Sequence, residues 1–155
     1  MVKIKRATIK DGLFLDVEYE ETIADSNASV KKSCKAPIHE DLKNAFARMD
    51  FHLCNLSEQY NSDGDADEGN VTAKGFVIGG SGDHEGVTII GGRNVDAGYL
   101  NLVAPFTKWD SDYEHVSDLG EIIEECKSEV HQYLFEGKHQ PDNQLEMEFD
   151  NEEDL

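Results

Sequence analysis

Residues 2–20 read VKIKRATIKDGLFLDVEYE. On one side of Asp11-Gly12 stand Val2 and Ile4; on the other, Leu13, Leu15, Val17 and Tyr19 alternate with Asp16, Glu18 and Glu20. Apolar residues at every second position define a strand with one buried face, and an Asp-Gly pair between two such runs predicts a two-residue hairpin turn. The chain therefore opens with an antiparallel pair whose buried face needs a covering layer.

That layer is predicted from Pro37 onward, where the apolar spacing lengthens. Ile38, Leu42, Ala45, Phe46, Met49, Leu53 and Leu56 recur every three or four residues, and Pro37 followed by Glu40 and Asp41 suits a helix N-terminus. Residues 60–70, YNSDGDADEGN, have no periodicity and read as an exposed loop. Three strands follow at 71–79, 86–93 and 98–107, rich in Val, Ile, Phe, Tyr and Leu and separated by glycine-bearing loops. A second helix is predicted over 112–135, where Val116, Leu119, Ile122, Ile123, Cys126, Val130, Tyr133 and Leu134 hold a helical period and Gly137 supplies the stop. The layout is α+β: a mainly antiparallel sheet of about five strands with two helices, in the order ββαβββα, forming one domain over residues 1–137. Residues 138–155 are expected to form a disordered acidic tail, because the last fourteen carry seven acids and no base.

Charge narrows the function classes. The chain carries 33 acids against 14 bases, a net charge of −19, and the excess falls almost entirely after residue 50. Such a surface repels a phosphate backbone, so direct nucleic-acid binding is disfavoured outside the neutral N-terminal third, and a basic or DNA-binding protein is the easier partner. Cys34, Cys54 and Cys126 are odd in number and form no C-x-x-C pair, which fits spare thiols in a reducing compartment. No apolar run reaches the length of a signal sequence or membrane span, so the expected location is the cytoplasm.

No catalytic motif emerges, and no cofactor is expected. The loop Asp63-Gly64-Asp65-Ala66-Asp67-Glu68-Gly69 alternates carboxylates as a calcium loop does, but Glu68 stands where the sharp turn needs glycine and Lys74 where the closing glutamate belongs. The glycine-rich stretch 79–86 lacks the lysine and following helix of a phosphate cradle, and His84 between Asp83 and Glu85 lacks a second segment to complete a metal shell. Cys54 near His52 and Cys126 near His131 raise the question of a nucleophile, yet both thiols fall on apolar stripes, where burial keeps a thiol protonated and inert. His39, His52, His115 and His131 make no zinc spacing and are expected at the surface or the edge of the core.

Two features suggest a protein partner. On the last helix Glu121, Glu125 and Glu129, with Glu124, form an acidic stripe that a DNA-binding protein could meet in place of phosphates, although a solvated face is the commoner use of such a stripe. In the tail, Gln144-Leu145-Glu146-Met147-Glu148-Phe149 resembles the hexapeptide by which bacterial and phage proteins dock on the replicative sliding clamp. The resemblance covers six residues and implies that Gln144 would hydrogen-bond in a small polar pocket while Met147 and Phe149 fill an apolar groove. The consensus usually has Leu where this chain has Met147.

The chain as a whole also looks like small acidic proteins of phages and prophages of gut bacteria, through the stretch YLFEGK and the acidic, Phe-containing tail. That resemblance implies an accessory factor in phage takeover or replication. The leading expectation is a non-enzymatic accessory protein that binds a protein of DNA metabolism through the tail, the acidic helix face, or both. The alternatives are a single-stranded DNA-binding protein of phage type, whose acidic tail shields its groove, and a small-molecule binder or hydrolase of unnamed chemistry.

Overall fold

The computed structural model describes residues 1–141. Asp11 and Gly12 both take positive φ, +56° and +71°, the left-handed pair that matches the twist of the strands they join. The Leu13 amide donates to the Lys10 carbonyl at 3.1 Å, and Leu13 is left as an extra residue before the Lys10–Phe14 pair. This extra residue is the one departure from the two-residue turn read in the sequence.

The strands are β1 (Val2–Lys10), β2 (Phe14–Ile23), β3 (Ser26–Ser33), β4 (Val71–Gly79), β5 (Gly86–Val95), β6 (Gly98–Val103) and β7 (Thr107–Lys108), and the helices are α1 (Glu40–Ala47), α2 (Asp50–Leu56) and α3 (Val116–Phe135). The sheet runs β3-β2-β1-β4-β5-β6 with β7 also on β5, and every pairing is antiparallel. Val17, Ala7, Phe76 and Ile89 lie in one register across four strands and point to the face that the helices cover. Against them pack Leu42, Phe46, Met49, Leu53, Leu119, Ile123 and Val130, all fully buried, and the rings of Phe46 and Phe76 are 5.9 Å apart. Each such side chain removed from water stabilises the fold by roughly 1.5–3 kcal/mol.

Four local readings need correction. Strand β3 was not predicted, because SNASVKKS offers Val30 as its sole β-branched residue; it is an edge strand held by backbone pairing to β2 and almost wholly exposed. The helix predicted from Pro37 breaks at Arg48-Met49 into α1 and α2, and Asp50 at the break accepts the Ala73 amide at 2.7 Å, tying the helix to β4. The strand expected over 98–107 stops at Val103; Pro105 has no amide to donate, and β7 resumes the pairing to β5 at Thr107. The last helix begins at Val116, four residues inside its expected start.

Residues placed with the tail by sequence are bonded to the body. His139 bridges Ile38 in antiparallel fashion, the Gln140 amide donates to the Pro37 carbonyl at 3.0 Å, and Lys138 pairs with Asp41 at 2.9 Å and Glu129 at 3.1 Å.

Candidate interaction face

All three helices lie on one side of the sheet, so the other side is an open face. Two rungs of side chains cross it. One runs Lys31, Glu18, Arg6, Val77, Thr88; the next runs Ser33, Asp16, Thr8, Gly75, Ile90, Val103. The β1–β3 half is charged and internally balanced, with Lys31 4.0 Å from Glu18. The β4–β6 half is apolar.

Two rings finish that apolar half. A Cβ at Gly92 would fall 2.2 Å from the Tyr99 ring and one at Gly79 would fall 3.3 Å from the Phe106 ring, so the absence of side chains there lets both rings lie flat on the sheet. Lys74, the extra residue of the β4 bulge, holds its ammonium 4.3 Å from the Tyr99 centroid. Val103 is 67% exposed, Phe106 46% and Tyr99 43%. Residues 97–107 carry no charge at all, in a chain where 30% of residues are charged. These three exposed apolar side chains share the open side of the sheet. Sequence reasoning missed it because the tyrosine, the phenylalanine and the lysine come from three separate segments and meet only through the register.

The histidine expected at a surface or core edge is instead fully buried. His52 Nδ1 is 2.7 Å from the Tyr113 hydroxyl and its Nε2 is 2.8 Å from Asp118 Oδ2. A neutral ring satisfies both at once: the tyrosine O–H donates to Nδ1, and Nε2–H donates to the carboxylate. Burial lowers the His52 pKa, and Asp118 partly opposes it. Phe51 and His115 stack edge-on around the ring. The relay ties α2 to Tyr113 in the segment before α3 and to Asp118 in the first turn of α3.

The thiols follow the expectation of buried structural cysteine. Cys54 and Cys126 are fully buried, burial pushes Cys54 up to about 11 and Cys126 higher still, and Cys126 Sγ lies 3.4 Å from the Ala45 carbonyl. Neither pairs with the histidine near it in sequence. A cleft of about 420 Å³ opens between β1, α1 and β4, lined by Lys43, Asp50, Thr72 and Lys74 among others. Burial and the Glu68 charge raise the Asp50 carboxyl to about 6. Among the described residues no three His, Cys, Asp or Glu side chains converge to hold a metal ion.

The acidic stripe is less available than its spacing suggests. Glu125 is paired with Arg48, Glu129 is held by Lys138, and Glu121 alone of the three faces an open groove, beside Glu85, Trp109 and Glu124. Gln144, Met147 and Phe149 lie outside the described residues. Among the described residues no helix is long and apolar enough to cross a membrane. Comparison with family models, curated proteins and solved structures finds no match to this chain.

Proposed function

We propose that this is an accessory protein that acts by binding another protein, with the β4–β6 half of the open sheet face as its body-borne contact. The observation that carries this reading is the uncharged, exposed cluster of Tyr99, Val103 and Phe106 on a chain of net charge −19. A partner presenting apolar surface would bury it without meeting the repulsion that the rest of the molecule imposes. The tail peptide adds a second contact, and its resemblance to clamp-docking hexapeptides supports a partner in DNA metabolism, in the setting of phage takeover or replication.

The test is a pull-down from bacterial extract with three baits: the intact chain, a chain ending at Pro141, and the intact chain carrying Val103→Lys and Phe106→Ser. A partner retained by the truncated bait and lost by the double variant supports the open face. A partner held equally by all three baits overturns it.

A second reading is favoured by Lys74 over Tyr99, with Arg6 central on the same face: aromatic platforms beside basic groups suit stacked bases of single-stranded DNA. The total charge opposes it. Fluorescence anisotropy with a labelled oligonucleotide separates the two, and sub-micromolar affinity abolished by Tyr99→Ala would put the nucleic-acid reading first.

A further inference from the structure

We propose that the outer edge of β6 pairs with the same edge of a second copy of this chain, antiparallel and two-fold about Asn101, so that the two sheets become one.

The sheet ends at β6, whose outer side has no strand partner among the described residues. In an antiparallel pair, alternate residues direct both backbone groups to the same side. The Ala104 amide donates to the Ile89 carbonyl on β5 at 2.9 Å, and the register runs without a shift from the Ile90–Val103 pair to the Val95–Gly98 pair. Gly98, Leu100 and Leu102 therefore direct their backbone groups to β5, and Tyr99, Asn101 and Val103 direct theirs outward. Pro105 follows with no amide to donate, so the row of exposed donors ends at Val103.

An open edge is ordinarily guarded, by lysines above all. β3, the opposite edge, carries Lys31 and Lys32, both exposed. β6 carries no charge, and neither does any residue from 97 to 107. In a chain of net charge −19, this is the edge on which two copies meet without setting like charges against each other.

The occupant is a second copy because the strand complements itself. One two-fold register engages all three outward residues, with Asn101 opposite Asn101 and Tyr99 opposite Val103 in both directions. Every outward amide and carbonyl of the two strands is then bonded. On the open face Val103, 67% exposed, comes beside Tyr99, an aromatic and β-branched pair of the kind that stabilises sheets. On the helix face Leu100, 46% exposed, comes opposite Leu102. Shifting one strand by two residues brings Pro105 opposite Tyr99, or the turn residue Ala97 opposite Val103, and bonds are lost. Pairing of one patch with itself about a two-fold axis is the commonest symmetry of soluble oligomers. The contact is small, below about 1,200 Å², so association falls in the micromolar range.

This pairing goes beyond the open-face reading and does not depend on it, since the edge supplies backbone bonds and the face supplies side chains. It sets two clusters of Tyr99, Val103 and Phe106 on one continuous sheet.

Two measurements on the full chain test it, both in about 0.5 M salt to screen the repulsion between two acidic chains. In amide exchange, raising the protein from well below to well above micromolar concentration should slow Tyr99, Asn101 and Val103 about tenfold or more and leave Leu100 and Leu102, already bonded to β5, unchanged. Slowing that does not depend on concentration gives the edge to a segment of the same chain, and fast exchange at all three throughout leaves the edge unpaired; either result overturns the proposal. In sedimentation, Asn101→Lys and Asn101→Asp, made at an exposed position whose backbone does not serve β5, should each self-associate more weakly than the parent. An equal mixture of the two should associate roughly fivefold more tightly than either alone, because at the axis a residue faces itself. A mixture no tighter than its components overturns the register, and a dimer that persists with fast exchange at Tyr99, Asn101 and Val103 belongs to the open face and overturns the edge. A chain that stays monomeric overturns the pairing and leaves the open-face reading to the pull-down, which needs no dimer.

Discussion

His52 Nε2 lies 2.8 Å from Asp118 Oδ2, so a ring with no exposure of its own is wired to a carboxylate whose side chain is 54% exposed. The arrangement makes stability depend on acid. Burial holds the folded-state pKa of His52 below 6.5, so the unfolded chain takes up the proton first. The stabilisation is complete above pH 6.5 and is lost as pH falls from there through the folded value. Asp118→Asn removes the charge that partly supports the imidazolium and should steepen this loss, leaving the melting temperature near pH 8 little changed. Thermal melts of both proteins from pH 5 to 8 decide it.

Tyr113→Phe tests the other end of the relay. It leaves His52 Nδ1 buried without its donor, which should cost about 1–3 kcal/mol in chemical denaturation at neutral pH. A loss indistinguishable from zero would show that water replaces the hydroxyl.

Asp50 works in the opposite sense. Its carboxyl is raised to about 6 by burial and by Glu68, so the folded state keeps the proton to a higher pH than the unfolded chain does. The carboxyl therefore reduces stability as pH rises from about 4 to about 6. Asp50→Asn keeps an oxygen for the Ala73 amide and removes the buried charge, so the variant should exceed the parent in stability above pH 6 and match it near pH 4. Equal stability at both pH values would mean that Asp50 is ionised without penalty.

The outline of the fold was legible in residues 2–20, in the helical stripes and in strands β4 and β5, because each element buries a face and so writes its period into the sequence. β3 buries almost nothing, and nothing in SNASVKKS signals a strand. The break at Met49 lies within an unbroken apolar stripe and is set by a side-chain bond to β4, which no local rule contains. The open face was illegible for a related reason. Tyr99, Phe106 and Lys74 are ordinary where they stand in the chain, and glycines at 79 and 92 acquire their meaning only from the rings laid over them. The acidic stripe was visible, but not that Arg48 and Lys138, from other elements, already neutralise Glu125 and Glu129.

Thiol reactivity should follow burial. Cys34 is partly exposed beside Tyr133, whereas Cys54 and Cys126 are enclosed with their thiols held protonated. A thiol reagent at neutral pH should modify Cys34 alone in the native protein, and all three only after denaturation. Native labelling of Cys126 at a rate near that of Cys34 would show that α3 opens locally.

The tail hexapeptide carries its own test. A peptide spanning Pro141 to Leu155 should bind a bacterial sliding clamp in the micromolar range, about −8 kcal/mol, because two apolar anchors and one polar contact must offset the entropy a free peptide loses on binding. Met147→Ala with Phe149→Ala removes both anchors and should abolish the heat measured by calorimetry. Replacing Glu152, Glu153 and Asp154 by Ser should change affinity far less, since charges at the rim of a groove act mainly on encounter rate and salt dependence. No heat from the peptide at high concentration, with the Ala double variant behaving like the parent in pull-downs, would remove the clamp contact.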